Sequence, residues 1–315
     1  MRVGLMFPPG QDQSDVVRFA RRAERLGFDY FCCGEHVFFH GPTANAFVTL
    51  AAAAGATERI RLLSALTILP AYPAALAAKL AATLDRVAHG RFELGVGVGG
   101  EYPPEFEAIG VPVAERGERA DEALDLLAAL FTGRRVTHHG RFTTLTDQAL
   151  DPVPVQRPGP PVWVGGRRPA AIRRAARYAD VWLPYLVRPE RLASSLAAVR
   201  ERAADLGRTP DSVRGAVYCW TAVHSDAAYA RRAAVTEVGR VYRQDFTGLA
   251  DLLVHGTPDQ VVRRIGEYAD AGARDMVFAP ACPIAELDSM IDRFAAEVLP
   301  AVTATEPAPD GRRPR

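Results

Sequence analysis

The stretch on which the choice of fold depends runs from Phe92 to Pro104 and reads FELGVGVGGEYPP. It begins as an apolar strand and then satisfies the pattern GxGxxG over residues 95–100. In a doubly wound sheet this pattern opens a helix that holds a dinucleotide pyrophosphate. Here Pro103 and Pro104 follow, and tandem prolines disfavour immediate entry into a helix. The glycines therefore suit backbone that lies flat against a large planar ligand, or simply a tight loop.

Strand-like and helix-like segments alternate along the rest of the chain. Apolar runs predict eight strands, and a periodicity of 3.6 residues predicts helices between them. The predicted strands cover residues 2–7, 29–33, 60–65, 91–96, 162–165, 180–184, 213–220 and 275–279. Strict alternation is typical of a closed parallel barrel or a doubly wound sheet. We predict an α/β fold of the (β/α)8 TIM-barrel type.

The chain is expected to form a single barrel domain over residues 1–302. Two segments are insertions that a minimal barrel does not need. Residues 134–161 are predicted to form a hairpin and a proline-rich connection, and residues 225–256 are predicted to form a helix with irregular chain. We expect both insertions to shape or cover the mouth of the barrel. Residues 303–315 are rich in Pro, Arg and Gly, which predicts a disordered tail.

Composition argues against several classes of partner. The chain has 38 basic and 37 acidic residues, so its field favours neither nucleic acid nor anionic lipid. Met1 leads directly into a strand-like run without a signal-peptide pattern, and no apolar run approaches the roughly 18 residues of a membrane span. The four cysteines lack CxxC spacing and are expected to be reduced. We therefore expect a cytoplasmic protein.

Polar residues collect at the ends of predicted strands. In a parallel barrel these ends meet at one mouth, where barrel enzymes keep their chemistry. The stretches that would converge are residues 34–36, 64–67, 97–101, 165–167 and 219–221. Glu35 and His36 would bring an acid and an imidazole to the mouth, and histidine can pass a proton near neutral pH. A structural histidine is the alternative, and no third ligand accompanies His36 and His40, so no metal site is predicted.

A second glycine-rich stretch predicts an anion site. A strand leads through Gly165 and Gly166 directly into an arginine-rich helix. Free N–H groups at such a helix start, with Arg167 and Arg168 beside them, are typical of a phosphate cradle. The alternative is that both arginines lie on a solvated helix face.

Together these segments resemble the bacterial luciferase-like monooxygenase superfamily. The resemblance spans about residues 1–300. It is carried by GEH at 34–36, RIRLLSALTILP at 59–70, LDR at 84–86, HGRFELGVG at 89–97, EFEAIGVP at 105–112, ERGER at 115–119 and PVWVGG at 161–166.

This resemblance implies a barrel that binds a flavin or the deazaflavin coenzyme F420 at its mouth, usually within a homodimer. It implies a bulge with a non-prolyl cis peptide bond at Ser64-Ala65, pressed against the back of the ring system. The cofactor-binding residues that it implies are Ser64, Ala65, Thr67, Gly97, Val98, Gly99, Gly165, Gly166 and Arg167.

The implied reaction is hydride transfer between coenzyme F420 and a small organic substrate, with His36 as proton donor or acceptor. Glu35 and Glu101 are the predicted acidic catalytic residues. Tyr102, Tyr185 and Trp220 are expected either to line the substrate side or to pack in the core.

Two other functions stay open from the sequence. One is an FMN-dependent monooxygenase that uses O2 and receives reduced FMN from a separate flavin reductase. The other is a flavin-binding barrel without catalytic activity. The segment 92–112 and the glycine pair before the helix favour coenzyme F420 over FMN.

Overall fold

The structure is a computed structural model that describes residues 1–100 and 102–303. The predicted catalytic residue Glu101 and all but the first residue of the predicted tail lie outside the described residues. The strands are β1 (Arg2–Met6), β2 (Tyr30–Cys33), β3 (Arg61–Ser64), β4 (Thr67–Ile68), β5 (Phe92–Gly97), β6 (Val136–His139), β7 (Thr144–Gln148), β8 (Val162–Gly165), β9 (Val181–Leu183), β10 (Arg214–Val223), β11 (Val254–Gly256) and β12 (Ala273–Pro280).

Eight of these strands close into a parallel barrel, which confirms the predicted fold. Their order is β1-β2-β3-β5-β8-β9-β10-β12, and β12 pairs back onto β1. Closure is completed between β9 and β10, where Val181 lies opposite Arg214. The short strand β11 was not predicted and adds to the end of β10 outside the closed ring. Three residues are too few to show a period in sequence.

Helices alternate with the strands around the barrel. They are α1 (Val16–Arg25), α2 (Ala46–Ala56), α3 (Ala74–Val87), α4 (Pro103–Ala108), α5 (Arg116–Phe131), α6 (Pro169–Tyr178), α7 (Pro189–Asp205), α8 (Ala227–Tyr242), α9 (Pro258–Asp270), α10 (Leu287–Arg293) and α11 (Leu299–Thr303), with a π-helical segment Phe294–Val298 between the last two. Local signals set several boundaries. Thr257 forms a capping box with Gln260 at the start of α9, and Gly27 follows α1 at φ +85°. Among the described residues, no helix combines the length and the apolar character needed to cross a bilayer.

The third barrel strand is interrupted by a bulge. Both β3 and β4 pair with β5, and a non-prolyl cis peptide bond between Ala65 and Leu66 separates them. The predicted position, Ser64-Ala65, was therefore wrong by one peptide bond. Ser64 is fully buried, and its hydroxyl donates to the Gly95 carbonyl and accepts from the Gly95 amide, both at 2.9 Å. This exchange fastens the bulge to β5.

The two insertions leave the barrel at opposite ends. Residues 134–161 connect a helix to the next strand, so they leave from the amino-terminal end, and the hairpin β6–β7 runs back along α5. None of the described residues in this insertion lines the cavity, but the tip of the hairpin reaches the start of α5, where Arg141 forms ion pairs with Glu115 and Glu118. The insertion therefore borders the mouth without lining the cavity. The insertion 225–256 follows the carboxyl end of β10, and its Val241 and Tyr242 do line the cavity.

The amino-terminal end of the barrel carries buried ion pairs. Asp275 on β12 is fully buried and lies 2.7 Å from Arg2 and 3.4 Å from Arg214, and it accepts a hydrogen bond from the Tyr30 hydroxyl. Burial raises the pKa of Asp275, and the two arginines act in the opposite direction. In barrel enzymes this end serves stability, and chemistry takes place at the other end.

Candidate active site

A cavity of about 770 Å³ opens at the carboxyl ends of the barrel strands. A volume of this size is typical of small-molecule and cofactor sites. The predicted site residues that line it are Glu35, His36, Ala65, Thr67, Gly97, Val98, Gly99, Gly165, Gly166 and Arg167. Ser64 lies behind this lining and supports it through Gly95. The strand-end stretches therefore converge as the alternation predicted.

His36 forms a pair with a carboxylate that the sequence did not single out. Its Nδ1 lies 2.9 Å from Oε2 of Glu105, whose side chain is fully buried. The other oxygen of Glu105 accepts the Val37 amide at 2.8 Å. The ring of His36 also stacks on Phe39, with centroids 4.2 Å apart. A carboxylate in this position accepts a hydrogen bond from Nδ1–H, and this leaves Nε2 as the ring nitrogen available for proton exchange.

Glu105 was missed because the two prolines before it were misinterpreted. They form the first turn of α4, where the missing amide of proline costs nothing and its fixed φ suits the helix. The expectation that they disfavour entry into a helix was wrong for this reason. Glu105 lies in the same first turn, so a proline pair followed by an acid was the available signal.

Both carboxylate oxygens of Glu35 accept hydrogen bonds from neighbouring groups. Oε1 accepts the Ile68 amide at 2.9 Å, and Oε2 accepts the Ala46 amide and the side chains of Asn45 and Tyr72. Burial raises the pKa of Glu35, and the hydrogen bonds from Ala46, Ile68 and Tyr72 oppose that shift. These contacts join β4, which follows the bulge, and Tyr72 to the start of α2. They favour a positioning role for Glu35 over the predicted catalytic one.

We expect Glu35→Gln to lower the free energy of unfolding by about 1–3 kcal/mol, the usual cost of leaving buried polar groups unmatched. The amide group of glutamine would turn donors toward the donors that now surround Glu35. Urea denaturation measures the loss, with Glu58→Gln as the control because Glu58 is exposed. Equal stability of the two variants would contradict the anchoring role.

The glycines of β5 and β8 make room for a side chain of this chain. A Cβ built on Gly165 would lie 2.0 Å from Cδ1 of Leu66, and one on Gly97 would lie 3.2 Å from the same atom. On Gly95 it would lie 1.9 Å from the Ser64 carbonyl oxygen. For Gly95 and Gly97, Leu66 and the bulge are thus sufficient to explain the absence of a side chain, without the planar ligand that the sequence suggested. Gly99 differs, since its φ of +62° is itself a glycine conformation.

Thr67 presents an unmatched polar group. The residue is fully buried and lines the cavity, and its Oγ1 has no hydrogen-bond partner among the described residues. Native proteins rarely leave a buried hydroxyl without a partner, and such cases call for an explanation. A ligand in the cavity would supply one.

The start of α6 contributes a second polar feature. Ala170 and Ala171, in the first turn of this helix, line the cavity, and no side chain caps the helix. Gly166, at φ +105°, turns the chain into it. Arg167 does not simply face solvent, because its Nη1 donates to the carbonyls of Tyr185 and Leu186 and ties two strand ends together. A helix start with unused amides favours an anionic group.

The predicted aromatic residues divide into two groups. Tyr185 and Trp220 line the cavity. Tyr102 instead packs edge-on against Phe39 and His40, next to the pair of His36 and Glu105.

Known proteins resemble this chain over most of its length. The model of the luciferase-like monooxygenase family matches residues 1–275. An uncharacterized protein of Mycobacterium tuberculosis is 36% identical over 183 residues, which are 58% of this chain and 62% of that protein. The match thus spans less than two thirds of the length of that relative.

Two relatives carry functional names. An F420-dependent glucose-6-phosphate dehydrogenase of Microbacterium testaceum is 28% identical over 91% of this chain and 93% of its own length. An FMNH2-dependent dimethylsulfone monooxygenase of Pseudomonas putida is 33% identical over 60% of this chain and 53% of its own length.

Solved structures share the fold. The monooxygenase RslO1 of Streptomyces bottropensis has a TM-score of 0.84 at 24% identity, covering 95% of this chain and 99% of that chain. The coenzyme F420 dependent tetrahydromethanopterin reductase of Methanopyrus kandleri has a TM-score of 0.81 at 20% identity, covering 95% and 98%. At these identities the likeness shows a common barrel fold.

Proposed function

The chain belongs to the luciferase-like monooxygenase family, and we propose that it is an oxidoreductase that holds a flavin or deazaflavin ring in the cavity at the barrel mouth. The proposal rests on three groups that lie together in this cavity. They are the unmatched Thr67 hydroxyl, the uncapped start of α6 and the pair of His36 and Glu105. These are groups suited to a polar ring edge, to a phosphate and to proton transfer.

The residues of the cavity fit such a cofactor. The bulge at Ala65–Leu66 and the loop Gly97–Gly99 would flank the ring, with Thr67 donating to or accepting from a polar atom at its edge. The amides at the start of α6 would receive the phosphate. When bound, the cofactor supplies the hydride chemistry, and the protein supplies binding, orientation and electrostatics.

We favour coenzyme F420 over FMN and hydride transfer over oxygen activation. The relative named for coenzyme F420 aligns with 91% of this chain, whereas the one named for FMNH2 aligns with 60%. His36 would accept or deliver the proton that accompanies the hydride, and Glu105 would fix its tautomer. An FMNH2-dependent monooxygenase served by a flavin reductase is the second candidate, supported by the relative of that name. We also propose a homodimer.

Equilibrium binding to the purified protein tests this function. Coenzyme F420 and FMN, each oxidised and reduced, would be titrated while ring absorbance or fluorescence is followed. Selective binding of F420 supports the hydride-transfer enzyme, and selective binding of reduced FMN moves the assignment to the monooxygenase. Binding of neither would overturn both.

Replacing Thr67 by valine separates ligand binding from stability. We expect no loss of stability without cofactor, because the hydroxyl that is removed has no partner in the described residues. Cofactor affinity is expected to fall about 3- to 10-fold, the usual value of one hydrogen bond. Thermal unfolding and cofactor titration measure the two effects.

Thr221→Val is the matched control. Thr221 is also fully buried, but its hydroxyl donates to the Cys219 carbonyl at 3.0 Å. This variant should lose stability and keep its cofactor affinity. The reverse pattern in the two variants would contradict the assignment of Thr67 to the cofactor.

A further inference from the structure

We propose that the substrate is a flat, largely apolar organic molecule without anionic groups that binds against an aromatic wall in the half of the cavity built on β10, β1 and β2. The inference rests on the proposed function, because the wall belongs to the same cavity. The inference restricts the expected substrate, so far described only as a small organic molecule, to one chemical class. We define the aromatic wall as Phe39, Tyr218, Trp220 and Tyr242.

The rings of the wall form a continuous series that begins at the proton-transfer residue. Phe39 stacks on His36, and its centroid lies 6.2 Å from that of Tyr242 at an interplanar angle of 87°. Tyr242 in turn lies 6.2 Å from Trp220, again edge to face, and Trp220 lies 5.7 Å from Tyr218. Every member lines the cavity. A flat substrate on these rings would therefore lie beside His36.

The cationic residues of the cavity lining lie in one of its halves, and the carboxylate of Glu35 lies in the other. The strands β10, β12, β1 and β2 are consecutive in the barrel, and the segments that follow them contribute no lysine or arginine to the described lining. All the arginines of that lining come from the first residue of α5, from the two residues before α6 and from the middle of α6: Arg116, Arg167, Arg168 and Arg174. Arg243 follows Tyr242 but is not part of the lining, and its guanidinium donates to the His40 carbonyl.

This distribution determines which substrates the wall can hold. A phosphorylated or carboxylated substrate needs charge-assisted hydrogen bonds, which arginine and lysine supply. Beside His36 it would instead meet aromatic rings, Pro42 and Ala44. Rings and prolines favour burial of flat apolar surface, and aromatic pairs add attraction beyond the buried area. The arginines of the other half would bind the anionic part of the cofactor.

Two probes and two variants test the inference. Saturation-transfer NMR would measure binding of 2-acetylnaphthalene, which is uncharged, and of glucose 6-phosphate, a dianion, to protein saturated with its cofactor. We expect the naphthyl probe to bind and the sugar phosphate not to compete with it. Tyr242→Leu and Trp220→Leu are expected to weaken the naphthyl probe about fivefold or more. Tyr242 is only half-buried, so its variant keeps the test valid if the change at buried Trp220 prevents folding.

The control is Phe142→Leu, which removes a ring from the hairpin insertion, outside the cavity lining. It should leave the affinity for the naphthyl probe unchanged. Competition by glucose 6-phosphate, or unchanged probe affinity in Tyr242→Leu, would overturn the inference while normal cofactor titration left the proposed function standing. Failure to bind either cofactor would overturn the proposed function instead.

Discussion

Replacing His36 by glutamine is expected to lower kcat about 10²- to 10⁴-fold, the usual contribution of a positioned proton donor or acceptor. Glutamine can still hydrogen-bond to Glu105, so the local packing survives, but it cannot accept and release a proton near neutral pH. Cofactor affinity should change little, because His36 adjoins the aromatic wall and the proposed phosphate site lies at the start of α6. Rates of ring reduction or oxidation, with any substrate that the unaltered protein turns over, measure the effect.

His40→Gln provides the control for this prediction. His40 lies four residues away and packs on Phe39 and Tyr102, but it is absent from the cavity lining. Its replacement should leave kcat within a small factor of the original. If His36→Gln kept full activity, or if His40→Gln lost as much, proton transfer would have to be assigned to another group.

The convergence of the site was predictable from sequence, because strand ends follow from periodicity alone. Alternating apolar runs placed Glu35, His36, Thr67, Gly97 and Gly165 at carboxyl ends of strands, and a parallel barrel brings such ends to one mouth. None of this needs knowledge of side-chain contacts. It needs only the direction of the strands and their number.

The same reasoning could not predict which side chains form pairs. Glu105 meets His36 across 69 residues, on a six-residue helix whose orientation depends on tertiary packing. Glu35, adjacent to His36, looked equally catalytic in sequence, yet its four hydrogen bonds go to β4, to Tyr72 and to the start of α2. Neighbours in sequence thus have different tasks, because adjacent residues point in different directions.

The insertions illustrate the role of connectivity. Both were recognised as excess chain, but only their place in the alternation tells from which end of the barrel they leave. The hairpin β6–β7 follows a helix and so leaves from the amino-terminal end, whereas α8 follows a strand and reaches the mouth. Applying this rule to the sequence would have separated them, because chemistry in a barrel depends on the loops that follow strands.

The largest expected effect on stability belongs to Gly95→Ala. A Cβ on Gly95 would lie 1.9 Å from the Ser64 carbonyl oxygen, and the methyl group of Leu66 would be 2.9 Å away. The clash is with backbone that the Ser64 hydroxyl already fastens to β5, so a change of rotamer cannot relieve it. We expect the free energy of unfolding to fall by about 3 kcal/mol, at the upper end of overpacking costs. In a domain of this size that lowers Tm by about 5 °C.

Substitutions at two other glycines provide controls for this prediction. Gly55 lies inside α2 with nothing within 4 Å of a built Cβ, so Gly55→Ala should be neutral or slightly stabilising. At Gly165 the Cβ would meet the end of the flexible Leu66 side chain, so alanine there should cost less than at Gly95. Thermal unfolding of the three variants should therefore rank them Gly55, Gly165, Gly95 in increasing loss of Tm. An undiminished Tm for Gly95→Ala would mean that the bulge can move away from β5, and the wall of the cavity would then be far more deformable than its hydrogen bonds imply.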